Sequence, residues 1–272
     1  MGTKLGFGAG DIFGGGSLVI ISIFYLYFLT DVLLISPALA GTVFLISRMW
    51  DALIDPPIGI ISDRTRTRFG RRRPYFLAGV VLIFASFVMM WFPVAFESEM
   101  HRFLYVLGTY IFFCTCYSIT MIPYFSLASE LTTDYNERTS LTSYRMVFSM
   151  ASSLTCAVVP LTVVDYVKGI YDLRTGYIVM AFIFGLVFSL PFLATFFATR
   201  ERPEFQKKPE SFNVKEMIIV PFKTPTFLNY LLLSPEVHNR LNRFLTARRK
   251  GEPVSPGEER ELKNILERKA AG

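Results

Sequence analysis

Apolar residues run in six long blocks along the chain, roughly 12–30, 39–61, 75–94, 103–125, 146–166 and 177–198, with polar stretches between them. Each block is close to the ~20 residues that a helix needs to cross a hydrocarbon layer. Lipid offers no partner to a free N–H or C=O, so each block is expected to be a helix. A further apolar start, PTFLNYLLL, closes at Leu233. Beyond it the pattern changes to that of soluble helix. Ser255, Pro256 and Glu258 form a helix start, and Leu262, Ile265 and Leu266 give one apolar face. The expected class is an all-α membrane protein. Its expected parts are a six-helix transmembrane bundle (1–200), a cytoplasmic connector with the start of an incomplete seventh helix (201–233), and a soluble helical tail (234–272).

Composition agrees: 52% of residues are hydrophobic, 27 are Phe, and the mean hydropathy is +0.41. The net charge of +6 matters less than its placement. The stretch between blocks two and three reads DRTRTRFGRRRP and holds Arg64, Arg66, Arg68, Arg71, Arg72 and Arg73. The stretch between blocks one and two has no Lys or Arg. The positive-inside rule therefore puts the Arg run in the cytoplasm and, with six crossings, both termini there too. Arg200, Arg202, Lys207 and Lys208 agree with that, whereas the region Glu130–Arg138 is not basic. The expected location is a bacterial-type inner or plasma membrane. Beside a membrane span, topology and lipid contact explain the Arg run better than nucleic acid does. The three Cys, at 114, 116 and 156, all fall inside apolar blocks and read as buried free thiols, with neither a disulfide nor a metal site implied.

Three charges interrupt the second block: Arg48, Asp51 and Asp55, in ISRMWDALIDPPIGIIS. A charge at bilayer depth costs at least about 2.5 kcal/mol on insertion scales, so it persists where it is paired, faces a cavity or does work. Two acids four apart share one helix face, about 40° apart around the axis and roughly 6 Å along it. Arg48 lies one turn earlier. The empty cluster carries a charge near −1, which a bound cation or proton would offset.

Gly59-Ile-Ile-Ser-Asp63-Arg64, followed by Gly70-Arg71-Arg72-Arg73, resembles the G-x-x-x-D-R…G-R-R signature of the major facilitator superfamily. That family carries it between helices two and three on the cytoplasmic side. FYLYFLTDV (24–32), SRMWDALIDPPIG (47–59), MIPYFSLASELT (121–132) and NERTSLTSYR (136–145) narrow the resemblance. They are similar to the glycoside–pentoside–hexuronide:cation symporters, the group of the melibiose permease, over the stretch from the N-terminus to about residue 233. The resemblance implies the N-terminal six-helix half of that fold. It implies uptake of a sugar or glycoside coupled to Na⁺, Li⁺ or H⁺, with no other cofactor and no enzyme activity. It places Asp51 and Asp55 at the cation site, with Ser118 beside them; these would be the ligands if Na⁺ is used. It places Arg145 and Tyr117 at the sugar, with Arg48, Phe125 and Asp11 as further candidates.

This chain departs from the pattern at four places. The Asn usually beside the second cation-site acid is Ile54, the sugar-binding Asp of helix four is Met121, and the nearby Trp is Phe125. The Asp of helix one falls on Gly15, and the nearest acid, Asp11, lies one turn earlier, at the inner edge of the first block. Fewer neutral oxygen ligands make a carboxylate pair easier to use as a proton site, which leans the reading to H⁺. Arg145 is expected to pair across the cavity when the site is empty and to turn to substrate when it is loaded. The family's pathway lies between two six-helix halves. The chain would therefore work with a second half or as a homo-oligomer. The alternatives are a non-transporting membrane remnant and a membrane anchor or regulator. A more distant one is an intramembrane aspartyl protease using Gly8-Ala9-Gly10-Asp11 with Tyr171-Asp172. Pro123 and Pro160 are expected to kink helices four and five. Tyr25, Tyr27, Trp50 and Trp91 read as packing or interfacial aromatics.

Overall fold

A computed structural model of the chain describes residues 1–132 and 134–199. The expected connector, seventh-helix start and helical tail (201–272) lie outside the described residues. Six helices long and apolar enough to cross a membrane make up the rest: α1 Gly2–Tyr25, α2 Pro37–Arg64, α3 Arg73–Met90, α4 Glu99–Leu131, α5 Tyr135–Lys168 and α6 Leu173–Ala198. They match the six apolar blocks one for one. Among the described residues there is no strand, only a single bridge between Thr67 and Gly70 in the turn from α2 to α3.

The helices extend past the apolar blocks because their end signals are polar. Asp134 caps α5, its carboxylate accepting from the Glu137 N–H at 2.8 Å, while the Thr132 hydroxyl donates to Glu137 at 2.9 Å. Asp172 caps α6 in the same way through the Arg174 N–H and the Thr175 hydroxyl. Those hydrogen bonds, the Thr175 hydroxyl first, hold the Asp172 carboxyl below the usual carboxylate range. Pro37 and Pro74 start α2 and α3, where a missing N–H costs nothing. Pro123 and Pro160 do lie inside helices.

Within the bundle α4 packs against α2 and α3, and α1 packs against α5 and α6, with α3 and α6 joining the two groups. Glycine permits the close approach of α1. A methyl at Gly10 would meet the Tyr124 ring at 2.6 Å, and one at Gly15 would meet the Ser149 carbonyl of α5 at 2.6 Å. Where helices approach this closely, hydroxyls join them. Tyr124 donates to the Phe7 carbonyl at 2.6 Å, Thr195 to Gly6 at 2.8 Å and Ser152 to Ile12 at 2.8 Å. Beyond Ile20 the helix passes through two π-helical turns, Ile21–Tyr25 and Phe28–Val32. The first carries Tyr25 into a buried aromatic cluster with Phe28, Trp91 and Tyr110. Trp91 and Tyr25 are thus packing residues, while Tyr27 is exposed.

Overpacking at a close helix contact costs about 1–3 kcal/mol. Gly15→Val is therefore expected to lower the thermal unfolding midpoint of the detergent-solubilised protein. Gly59→Ala is the control: a methyl there meets only Ile122, at 4.0 Å. It is expected to leave the midpoint unchanged.

Candidate functional site

The middle of α2 carries the charges. Arg48 reaches Asp51 at 3.7 Å, yet its side chain is 77% exposed against 26% for Asp51. A pair that open is worth little, so Arg48 does not neutralise the site by burial. Asp55 stands one turn further along, half-buried. The Ser118 hydroxyl of α4 donates to its Oδ1 at 2.5 Å. Cys114 lies buried on α4, one turn before Ser118. Trp50 Nε1 donates to Thr115 Oγ1 at 2.9 Å, fixing the same two helices against each other. So α2 and α4 are joined by an acid–hydroxyl bond at Asp55 and, about one turn nearer the head of α2, by the Trp50–Thr115 bond. Among the described residues no three His, Cys, Asp or Glu side chains group to hold a metal ion. An alkali ion here would need oxygens from Ser118 or the backbone beside one or two carboxylates.

A second cluster forms between α1, α4 and α5. Asp11 is not at the inner edge of the first helix as expected. That helix starts at Gly2, which puts Asp11 more than two turns inside it, where it is buried. Arg145 Nε lies 3.5 Å from the Asp11 carboxylate, and its guanidinium lies 5.1 Å over the Phe125 ring. Arg145 is thus paired with an acid of α1. Arg145 Nε is buried without a hydrogen bond, so the pair is loose. Tyr117, half-buried, packs its ring against Phe13 at 5.2 Å and a tilt of 48°. Phe125 is 43% exposed and Met121 is buried. Gly15, where the resembled family has an acid, is packed directly on α5, which leaves no room for a carboxylate there.

The Arg-rich turn is a third cluster. Arg72 donates to Asp63 at 2.8 Å and to Glu130 at 2.8 Å, and Arg71 also bonds Glu130. Gly59 and Asp63 sit on the last two turns of α2, which ends at Arg64. Gly70 has φ 115°, a conformation that glycine alone adopts readily, and closes the turn with Thr67 through mutual N–H to carbonyl bonds of 3.1 and 3.2 Å. Arg73 donates to the Phe196 carbonyl at 2.7 Å and lies over its ring.

Sequence reasoning missed Glu130. Glu130 is the lone acid in the last turn of an apolar helix that ends opposite an Arg run. Asp172 serves as a helix cap, so the Asp11–Asp172 protease pair has no support here.

The family model described as MFS/sugar transport protein matches residues 6–233. The YagG protein of Escherichia coli, named a candidate glycoside/cation symporter, is 33% identical over 80% of this chain and 47% of its own length. The symporter YnaJ of Bacillus subtilis is 35% identical over 77% of this chain and 45% of its own. The isoprimeverose transporter of Lactiplantibacillus pentosus is 29% identical over 79% of this chain and 46% of its own. The chain thus spans less than half the length of these relatives.

Proposed function

Because the chain belongs to the MFS/sugar transport protein family, among the glycoside–pentoside–hexuronide:cation symporters of the major facilitator superfamily, we propose that it forms the cation-coupling half of a secondary transporter for a sugar or glycoside. The observation that carries this is the bond from Ser118 to Asp55, which builds an acid of α2 and a hydroxyl of α4 into one site inside an apolar bundle. Asp51, Asp55 and Ser118 hold the coupling ion, H⁺ or Na⁺. Arg145, Tyr117, Phe125, Arg48 and Asp11 serve the substrate.

The mechanism follows from charge. With the site empty, Asp11 holds Arg145 loosely. A cation on Asp55 draws Ser118 and α4 toward itself, and Tyr117 and Phe125 ride on the same helix. Arg145 then exchanges Asp11 for substrate oxygens. Substrate therefore binds tightly with the cation present, and linkage requires the reverse as well. The exposed faces of α2 and α5, with Leu45, Met49 and Leu53 on one and Met146, Met150 and Leu154 on the other, receive a second six-helix unit. The turn holding Arg71 and Arg72 faces the cytoplasm, as do both termini.

Counterflow of labelled glycosides in proteoliposomes, with the cation varied, tests the proposal. The expected result is substrate exchange stimulated by Na⁺ or by acid. Exchange indifferent to Na⁺, Li⁺ and pH would sink it.

A further inference from the structure

The pair of Asp11 and Arg145 is buried and poorly satisfied. The Asp11 side chain is 9% exposed, and Arg145 Nε stands 3.5 Å away, buried and without a hydrogen bond. The hydroxyls packed on this stretch of α1 are spent elsewhere. Tyr124 donates to the Phe7 carbonyl, Thr195 to Gly6 and Ser152 to Ile12. A methyl at Gly14 would touch both the Asp11 carboxylate and the end of Met121, so an apolar thioether borders the acid. The titratable groups packed here are Tyr117 and Tyr124 of α4, against Phe13 and Gly10, and Arg145 of α5; α6 presents the neutral Thr195. Among the described residues Arg145 is the one cation within ion-pair distance of Asp11. Arg145 is the less confined partner. Its side chain is 24% exposed, and its guanidinium lies over Phe125, which is exposed as well.

We propose that Asp11 is a proton-accepting site, separate from the acids of α2, and that the substrate is a glycoside bearing a carboxylate, for which Arg145 leaves Asp11. The inference rests on the transporter reading above and names its substrate class. Charge balance carries it. The empty pair sums to zero. A carboxylate stranded without a partner in an apolar bundle does not keep its charge; it takes up a proton. When Arg145 turns to a substrate carboxylate, that anion replaces Asp11 as its counter-charge. A proton from water then neutralises Asp11, and the sum returns to zero. A neutral glycoside offers Arg145 dipoles and no counter-charge, so Arg145 stays with Asp11.

The test compares 4-nitrophenyl β-glucuronide with 4-nitrophenyl β-glucoside, which has –CH₂OH in place of the carboxylate. Both are titrated into the purified full chain near neutral pH in weakly buffered detergent, with a pH indicator reading proton uptake. Any proton taken by the α2 acids is common to the two compounds, so their difference isolates Asp11. The wild type is expected to take up about one proton more per bound glucuronide than per bound glucoside. By linkage, the ratio of glucuronide to glucoside affinity then rises about ten-fold for each pH unit lowered. Asp11→Asn is expected to erase the extra proton and flatten that pH profile while still binding glucuronide. Asp55→Asn, which alters the proposed cation site, is expected to keep the extra proton. The wild type and Asp55→Asn decide the question even if Asp11→Asn does not fold. Equal proton uptake for the two compounds in the wild type overturns the inference, with the transporter reading intact. So does an extra proton that survives in Asp11→Asn or vanishes in Asp55→Asn. If neither compound binds, with or without Na⁺, the glycoside reading itself fails and the inference falls with it.

Discussion

Glu130→Ala is expected to lower the thermal midpoint of the purified protein by roughly 5–10 °C, more than any other single charge removal in the bundle. Glu130 is 6% exposed and accepts from both Arg71 and Arg72, and the Arg72 side chain is itself 7% exposed. Removing one member of a buried pair strands the other, at a cost of about 3–5 kcal/mol. The lower end applies here, because Arg72 keeps Asp63 at 2.8 Å. Glu130→Gln keeps an acceptor oxygen and should recover part of the loss. Asp63→Ala should cost less, since the Asp63 side chain is 51% exposed. Thermal unfolding in detergent, followed by helical signal, separates the three. Equal midpoints for all of them would show that the Arg turn is held by something other than Glu130.

Asp55→Asn is expected to abolish the cation dependence of substrate exchange while leaving the bundle folded. The amide is nearly the same size and still meets the Ser118 hydroxyl, so the α2–α4 contact survives. What disappears is the negative charge that an alkali ion or a proton must find there. Cation-stimulated exchange should fall to the level measured without Na⁺ at high pH. Asp51→Asn should leave a weakened response, because it is Asp55 that carries the bond to the Ser118 hydroxyl, while Asp51 meets only the exposed Arg48 at 3.7 Å among the ion pairs. The readouts are counterflow in proteoliposomes and Na⁺-induced change in Trp fluorescence. A full cation response in Asp55→Asn would remove Asp55 from the site.

Much of the architecture was legible because hydropathy reports lipid contact directly. Six apolar blocks became six helices. The block edges misplaced the helix ends, since a helix continues wherever its N–H and C=O groups are satisfied, in water as in lipid. Gly2–Asp11 and Tyr135–Arg145 are helical though polar in part, and the cap at Asp134, with Glu137 three residues on, was a readable signal for the second of them. The acids of α2 stood out because charge in an apolar run is costly. Their partners did not. Ser118 entered through resemblance, and Cys114 is the buried free thiol that was expected. Nothing local in the sequence tells Arg145 that its partner lies on α1, 134 residues away. That pairing is decided by the glycines that let α1 and α5 touch.

Three hydrogen bonds tie α2 and the residue before it to α4, and they keep nearly one offset. The Ser36 N–H, just before α2, donates to Glu99 at 2.8 Å; Trp50 meets Thr115; Asp55 meets Ser118. The partners are 63, 65 and 63 residues apart in sequence. The two helices therefore run side by side in the same direction, joined like the rails of a ladder from the head of α2 to its middle. A ladder does not open at one rung. An ion that pulls on Asp55 cannot part the rails there without straining the ties above it. The pair must instead lean as a single plank, which carries a small displacement at the acid out to its far end as a larger one.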